Sequence, residues 1–205
     1  MSQVFPEEKQ QERYFAIVQK VMGKHLKTLA IRDLFIHENL ELKRCEIRCL
    51  LQHDHKSATV TGIGVELVDT LFDTLMMHFS NDYVSLKNIV YVDFSIHAKL
   101  CNKIKQSQLG SSVEIVLALY NGKNNLYFRK QGGTLNVAAT QVVCSAVEYL
   151  INSEMAVKMI YKDIQDAKAR NRCDLIQRGT SYLAELVHIT SYEDVLSRKG
   201  EENNV

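Results

Sequence analysis

The chain has 205 residues, 46% of them hydrophobic, with a net charge of +1 at pH 7. That length suits one domain with appendages, or two small ones, and supports a sizeable core without staples. The balanced charge offers no basic field for nucleic acid, and no run of about 18 apolar residues is present to cross a membrane.

The first segment, MSQVFPEEKQQER, is polar and lacks a signal-peptide core, so a soluble cytoplasmic protein is expected. The five cysteines form no C-x-x-C pair. Buried free thiols are expected rather than a disulfide framework. Proline occurs once, at Pro6, so long regular elements joined by Gly, Asn and Asp turns are expected.

Residues 7–28 place Tyr14, Val18, Val21, Met22 and Leu26 at helical spacing. LAIRDLFIH then reads as a strand. In ELKRCEIRCLL, Cys45, Ile47, Cys49 and Leu51 face inward while Arg44, Glu46 and Arg48 face out. The turn QHDHK leads into a third strand, SATVTGIG, rich in β-branched residues. The period then changes to helical. Val68, Leu71, Phe72, Leu75 and Phe79 form one stripe, with Glu66, Asp69 and Asp73 opposite.

The same order returns. From Val90 the chain alternates: Val90, Val92, Phe94 and Ile96 on one side, Tyr91, Asp93, Ser95 and His97 on the other. A loop, CNKIKQSQLG, precedes the strand SSVEIVLALY, a turn at NGK, the strand NNLYFRKQ and a helix after GGT, with Thr134 as N-cap. DLFIH at 33–37 and DFSIH at 93–97 lie sixty residues apart. From the second strand onward the offset is 68: Cys45 falls on Val113, Ile47 on Ile115, Val60 on Phe128 and Gly64 on Gly132. The difference is an insertion near residues 101–110.

The expected fold is therefore α+β, with two pseudo-symmetric βββα units over residues 29–80 and 83–152. They form a body of residues 29–154, preceded by an N-terminal helix within 1–28. A helical extension follows over 155–205. In it Met159, Ile160, Ile164 and Ala167 make a stripe, a weak stretch lies at Arg170 to Cys173, and Gly179 is an expected helix break. SYED at 191–194 reads as the capping start of a last short helix, and GEENNV as a frayed tail.

Four stretches carry a family resemblance. YVSLKNIVYVDFSIH (83–97) resembles the Y-P-x-L-x-D-I-x-L-V-D-Y-x-V stretch in the C-terminal regulatory domain of α-isopropylmalate synthases, a domain with relatives in citramalate and homocitrate synthases. GVELVDTL (64–71) is similar to that family's G-N-G-P-V-D-A-L. GSSVEIVLAL (110–119) is similar to its G-T-A-A strand, and GGTLNVAATQ (132–141) to its G-V-S-x-N-I-I-x-A-S. The resemblance covers roughly residues 30–154.

It implies a domain that follows a catalytic TIM barrel, dimerises and binds a branched-chain amino acid as feedback inhibitor. A barrel takes about 250 residues, and the segments before the first unit leave no room for one. No catalytic residues, cofactor or metal site are therefore expected. The resemblance places an amino-acid effector near Gly64, Val68, Phe94, Gly110, Ser111, Ser112, Gly132, Gly133, Thr134 and Asn136. Where the family has a second glycine and proline, this chain has Glu66 and Leu67; a carboxylate at Glu66 either repels an effector carboxylate or pairs with its ammonium. The implied partners are a second copy, a small amino acid and a separately encoded synthase catalytic subunit, with no nucleic acid or membrane.

Taken alone, the glycine junctions are more often structural turns, and it is the resemblance that raises the ligand reading there. Gly64 and Gly132–Gly133 each bring a strand end to a helix N-terminus, where N–H groups can hold a carboxylate. Other candidates carry less. His53-Asp54-His55 falls in a hairpin turn, so a solvated turn is expected there rather than a metal site. Asp93, Ser95 and His97 project in parallel from one strand and do not converge as a triad requires.

Overall fold

The computed structural model describes residues 6–99 and 112–189. The loop at 101–110, with Gly110 and Ser111, the capping start at 191–194 and the GEENNV tail lie outside the described residues. Within them the elements follow the expected order. Helix α1 (Pro6–Met22) leads into strands β1 (Leu29–Asn39), β2 (Arg44–His53) and β3 (Lys56–Gly64) and then helix α2 (Leu67–Phe79). Strands β4 (Val90–Lys99), β5 (Ser112–Tyr120) and β6 (Asn125–Gly132) precede helix α3 (Leu135–Ala169), and α4 (Cys173–Leu186) closes the chain described.

The strands form two three-stranded antiparallel sheets, β1-β2-β3 and β4-β5-β6. Their registers superpose at the offsets read from the sequence. Cys45 pairs with Gly64 and Val113 with Gly132; Ile36 pairs with Ile47 and Ile96 with Ile115. Helices α2 and α3 begin at Leu67 and Leu135, again 68 apart. Each helix packs on its own sheet, α2 on β2 and β3, α3 on β5 and β6. Each also reaches the first strand of the other unit, α2 touching β4 and α3 touching β1, while the helices pack on each other. The two helices are thus enclosed by the two sheets. Phe72 of α2 meets Tyr91 of β4 with ring centroids 6.1 Å apart. One core results, because neither unit has enough apolar face to bury alone.

Three details differ from the sequence reading. First, alternation along β4 is broken by a bulge. The register shifts between Tyr91 and Asp93, so Tyr91 turns inward with Phe94, while Val90 and Val92 are more than half exposed. β1 has the same shift between Ile31 and Asp33. A bulge adds one unpaired residue and reverses the facing of all that precede it. Second, α3 runs unbroken across the expected boundary at residue 154, burying Ala156, Val157, Ile160, Ile164 and Ala167 beyond it. Third, Gly179 does not break a helix. The break lies at Arg170 to Arg172, where Asn171 adopts φ +53°. Gly179 instead lets α4 approach α3, since a Cβ there would stand 2.6 Å from Cγ1 of Ile164.

The flanking helices are tied to the second unit by side-chain amides. Gln11 of α1 accepts from the Tyr127 N–H at 2.9 Å and donates to its carbonyl at 3.0 Å, mimicking a neighbouring strand along the edge of β6. Asn152 of α3 does the same for Lys27, accepting from its N–H at 2.8 Å and donating to its carbonyl at 3.0 Å. Glu154, fully buried, accepts from the Ser85 N–H at 2.9 Å and hydroxyl at 2.7 Å and pairs with Lys158 at 2.5 Å. A buried carboxylate is tolerated because all of these partners reach it.

The thiols behave as packed groups. Cys45, Cys49 and Cys144 are buried and free, while Cys173 is exposed. Burial pushes the Cys144 thiol up to about 12, with the Glu148 carboxylate adding to the shift.

Candidate functional site

The glycine-to-helix junctions are built for close packing. A Cβ on Gly64 would lie 2.3 Å from Oγ1 of Thr70, and one on Gly62 only 1.7 Å from Oγ1 of Thr74. At the second junction a Cβ on Gly132 would lie 2.7 Å from the Ala138 backbone nitrogen. These strand ends therefore sit directly on the first turns of α2 and α3. Both helix starts are capped from within the chain. Asp69 accepts from the Glu66 N–H at 2.9 Å in a capping box, and Thr134 Oγ1 accepts from the Val137 N–H at 3.2 Å. Part of the donor capacity anticipated for a ligand carboxylate is thus taken up by capping side chains.

Beside the first junction lies a cavity of about 330 Å³. Four segments line it: the end of β1 and its turn into β2 (Glu38, Asn39, Leu40, Lys43, Arg44), the start of α2 (Val65 to Val68), Phe94 and Ile96 of β4, and Leu135 at the start of α3. The turn is shaped by Lys43 at φ +48° and by Asn39, whose side chain accepts from the Leu42 N–H at 2.9 Å. Apolar groups from both units form the walls, and two carboxylates and two cations stand among them. Arg44 bonds Glu46 at 2.9 Å. On the α2 side the field is negative. Tyr91 is pushed well above its ordinary range by burial, then by the carboxylates of Asp69, Glu66, Asp93 and Asp73.

Of the anticipated effector residues, Val68 and Phe94 line this cavity. Gly64 ends β3 one residue before the lining begins. Gly132 ends β6 against α3, Gly133 is exposed, and Thr134 caps α3. Asn136 is exposed in the first turn of α3, off the cavity, although its neighbour Leu135 lines it. Ser112 opens β5, paired with Lys99, away from the lining. Gly110 and Ser111 lie outside the described residues. Sequence reasoning missed the β1–β2 turn. Its signal was present in Leu40 and Leu42, two leucines in a four-residue turn where polar residues are the norm.

Two other constellations take definite shapes. His53 is half-buried, its ring meeting Phe79 edge-on at 5.2 Å, whereas His55 is exposed. The expected solvated turn is thus corrected for His53. Asp54 anchors the turn, pairing with Lys27 at 2.7 Å and accepting from the Thr28 N–H at 3.3 Å, which presses His53 onto α2. Among the described residues no group of three or more His, Cys, Asp or Glu is placed to hold a metal ion. On β4, Ser95 Oγ and His97 Nε2 do approach, at 3.3 Å, closer than parallel projection implied. Asp93 turns to its neighbour's backbone instead, accepting from the Phe94 N–H at 2.8 Å, so it does not orient the imidazole.

Comparison with protein-family models and with curated proteins finds no match to this chain. No helix among the described residues is long and apolar enough to cross a membrane.

Proposed function

We propose that this chain is a non-catalytic regulatory module of branched-chain amino-acid biosynthesis. It takes leucine, isoleucine or a similar small amino acid in the cavity between the β1–β2 turn and the start of α2. The observation that carries this reading is the lining. A zwitterion with a branched apolar side chain needs a cation, an anion and an apolar wall within one small volume. Lys43 and Arg44, Glu38 and Glu66, and Val68, Phe94 and Ile96 supply these in about 330 Å³. That volume is at the low end of the roughly 300–1,000 Å³ of small-molecule clefts. The ammonium faces the negative α2 side and the carboxylate faces Lys43 and Arg44.

In this reading two cytoplasmic copies pair near the cavity. The effector signals by differential affinity for two arrangements of the pair. Calorimetry with leucine, isoleucine and valine tests it. One of them binds at millimolar concentration or below, and Phe94→Ala with Lys43→Glu weakens that binding at least tenfold. No heat with any of the three refutes the effector. Sedimentation gives the mass of the pair. An assay with acetyl-CoA and a 2-oxo acid shows no turnover.

A second reading is favoured by the cavity's rim. Leu40 and Val65 of the lining, and Leu42 in the same turn as Leu40, are all more than 60% exposed, a density of large apolar groups that marks interaction surfaces. Here the chain is a ligand-free structural subunit that docks on a separately encoded synthase barrel. Co-purification with such a barrel, lost on Leu40→Lys with Leu42→Lys, supports this reading over the first.

A further inference from the structure

A second and larger cavity, about 600 Å³, lies at the opposite flank, between α1, the outer edge of β6 and the middle of α3. Its floor is aromatic. Phe15 of α1 stacks on Tyr149 of α3 with centroids 5.2 Å apart, and Phe128 of β6 meets the same ring edge-on at 5.4 Å. One wall carries Glu148, half-buried, and the mouth carries Glu12, exposed. Ser145, one turn before Glu148 on α3, leaves the space open because its side chain is short.

Among the described residues, one donor reaches the Glu148 carboxylate, the Leu29 N–H on Oε1. Burial raises its proton affinity, against the opposing influence of the Leu29 N–H and of Lys130. No salt bridge joins it to Lys130. Of the two cations on this stretch of β6, Arg129 pairs with Glu114 at 3.2 Å and Lys130 is exposed. Among the described residues, the cavity therefore sets a carboxylate without an ion-pair partner beside three aromatic rings. A buried charge in that position is relieved by a cation, and ring faces attract cations in turn.

We propose that this cavity is a binding site for a small organic cation, a primary ammonium on a short arm from an aromatic or similarly bulky apolar group. The ammonium sits against Glu148, with Glu12 adding attraction at the mouth, and the apolar body lies on Phe15, Phe128 and Tyr149. The site shares no lining residue with the cavity at α2 and does not depend on the effector reading.

Calorimetry on the full chain with 2-phenylethylammonium tests the assignment. Saturable one-to-one binding is expected, with the neutral isostere 2-phenylethanol at least tenfold weaker and 3-phenylpropionate weaker still. Glu148→Gln keeps an oxygen for the Leu29 N–H and loses at least tenfold. Ser145→Phe fills the cavity and abolishes binding while the thermal unfolding transition persists. If that variant does not fold, Glu12→Lys, at an exposed position, weakens binding at least threefold. The proposal is overturned by no heat at millimolar amine, by equal affinity for the alcohol or the acid, or by binding that survives in Glu148→Gln. Unchanged binding in a folded Ser145→Phe variant, or in Glu12→Lys, overturns it as well.

Discussion

Gly64→Ala isolates the contact that seats α2 on its sheet. The new Cβ would stand 2.3 Å from Thr70 Oγ1 and 3.1 Å from Thr70 Cβ. Thr70 is 1% exposed and its hydroxyl donates to the Glu66 carbonyl at 2.5 Å, so rotation away from the intruding methyl costs that bond. Helix and strand must separate instead. Overpacking of this kind costs about 1–3 kcal/mol, against which alanine gains about 0.4–1 kcal/mol by restricting the unfolded chain. A net loss of about 1–2 kcal/mol follows, roughly 2–8 °C in Tm for a chain of this size.

Thr70→Ala removes the hydroxyl that clashes, so the double variant recovers about 1 kcal/mol relative to the sum of the singles. The repeat provides the control. At Gly132 the nearest obstruction is the Ala138 backbone nitrogen at 2.7 Å, which cannot be trimmed, with Val137 Cγ1 next at 3.0 Å. Gly132→Ala should therefore lose more, with no suppressor at residue 138. Urea unfolding, read as the midpoint at unchanged m, measures all four variants. A loss under about 0.5 kcal/mol for Gly64→Ala, or strict additivity with Thr70→Ala, refutes the close-approach argument.

Asn152→Leu strips both main-chain partners of Lys27 and is expected to cost about 2–4 kcal/mol, with faster hydrogen exchange at the Lys27 amide as its local signature. Glu154→Leu leaves the Ser85 donors and Lys158 without a counterpart, and about 3–5 kcal/mol should be lost by chemical denaturation; a loss below 1 kcal/mol would show that the buried pair is dispensable. His53 predicts a pH dependence. Burial holds its imidazole below the ordinary value, opposed by Asp54 and assisted by Lys27, His78 and Lys56. As pH falls, the unfolded chain takes up the proton first, so stability is lost from about pH 6.5 downward until the folded value is passed. His53→Phe keeps a ring against Phe79 and should flatten that part of the profile; an unaltered slope sinks the assignment.

The duplication was legible because it rests on local pattern. Offsets of 60 and 68 recur as paired residues in the two sheets, and both helices start where the change of period placed them. The bulges at β1 and β4 were not legible. Val90, Tyr91 and Val92 alternate no differently from a regular strand, and only pairing with Leu119 turns Tyr91 inward. Gly179 misled for a related reason. A glycine weakens a helix taken alone, but here the missing Cβ makes room for Ile164. At the candidate site, Val68 and Phe94 were foreseen, whereas Glu38, Lys43 and Arg44 came from a turn that the repeat pattern does not single out.

By itself, the order of residues determined which segments are strands and helices, that Thr134 caps α3, and that one unit is written twice. Each of these depends on neighbours within a few positions along the chain. Only the folded arrangement decided that α2 and α3 lie between the sheets, that Glu154 is held by Ser85, and that two cavities open at separate flanks. Those outcomes depend on which distant side chains meet, and a void in particular is defined by the shapes of groups that do not touch one another.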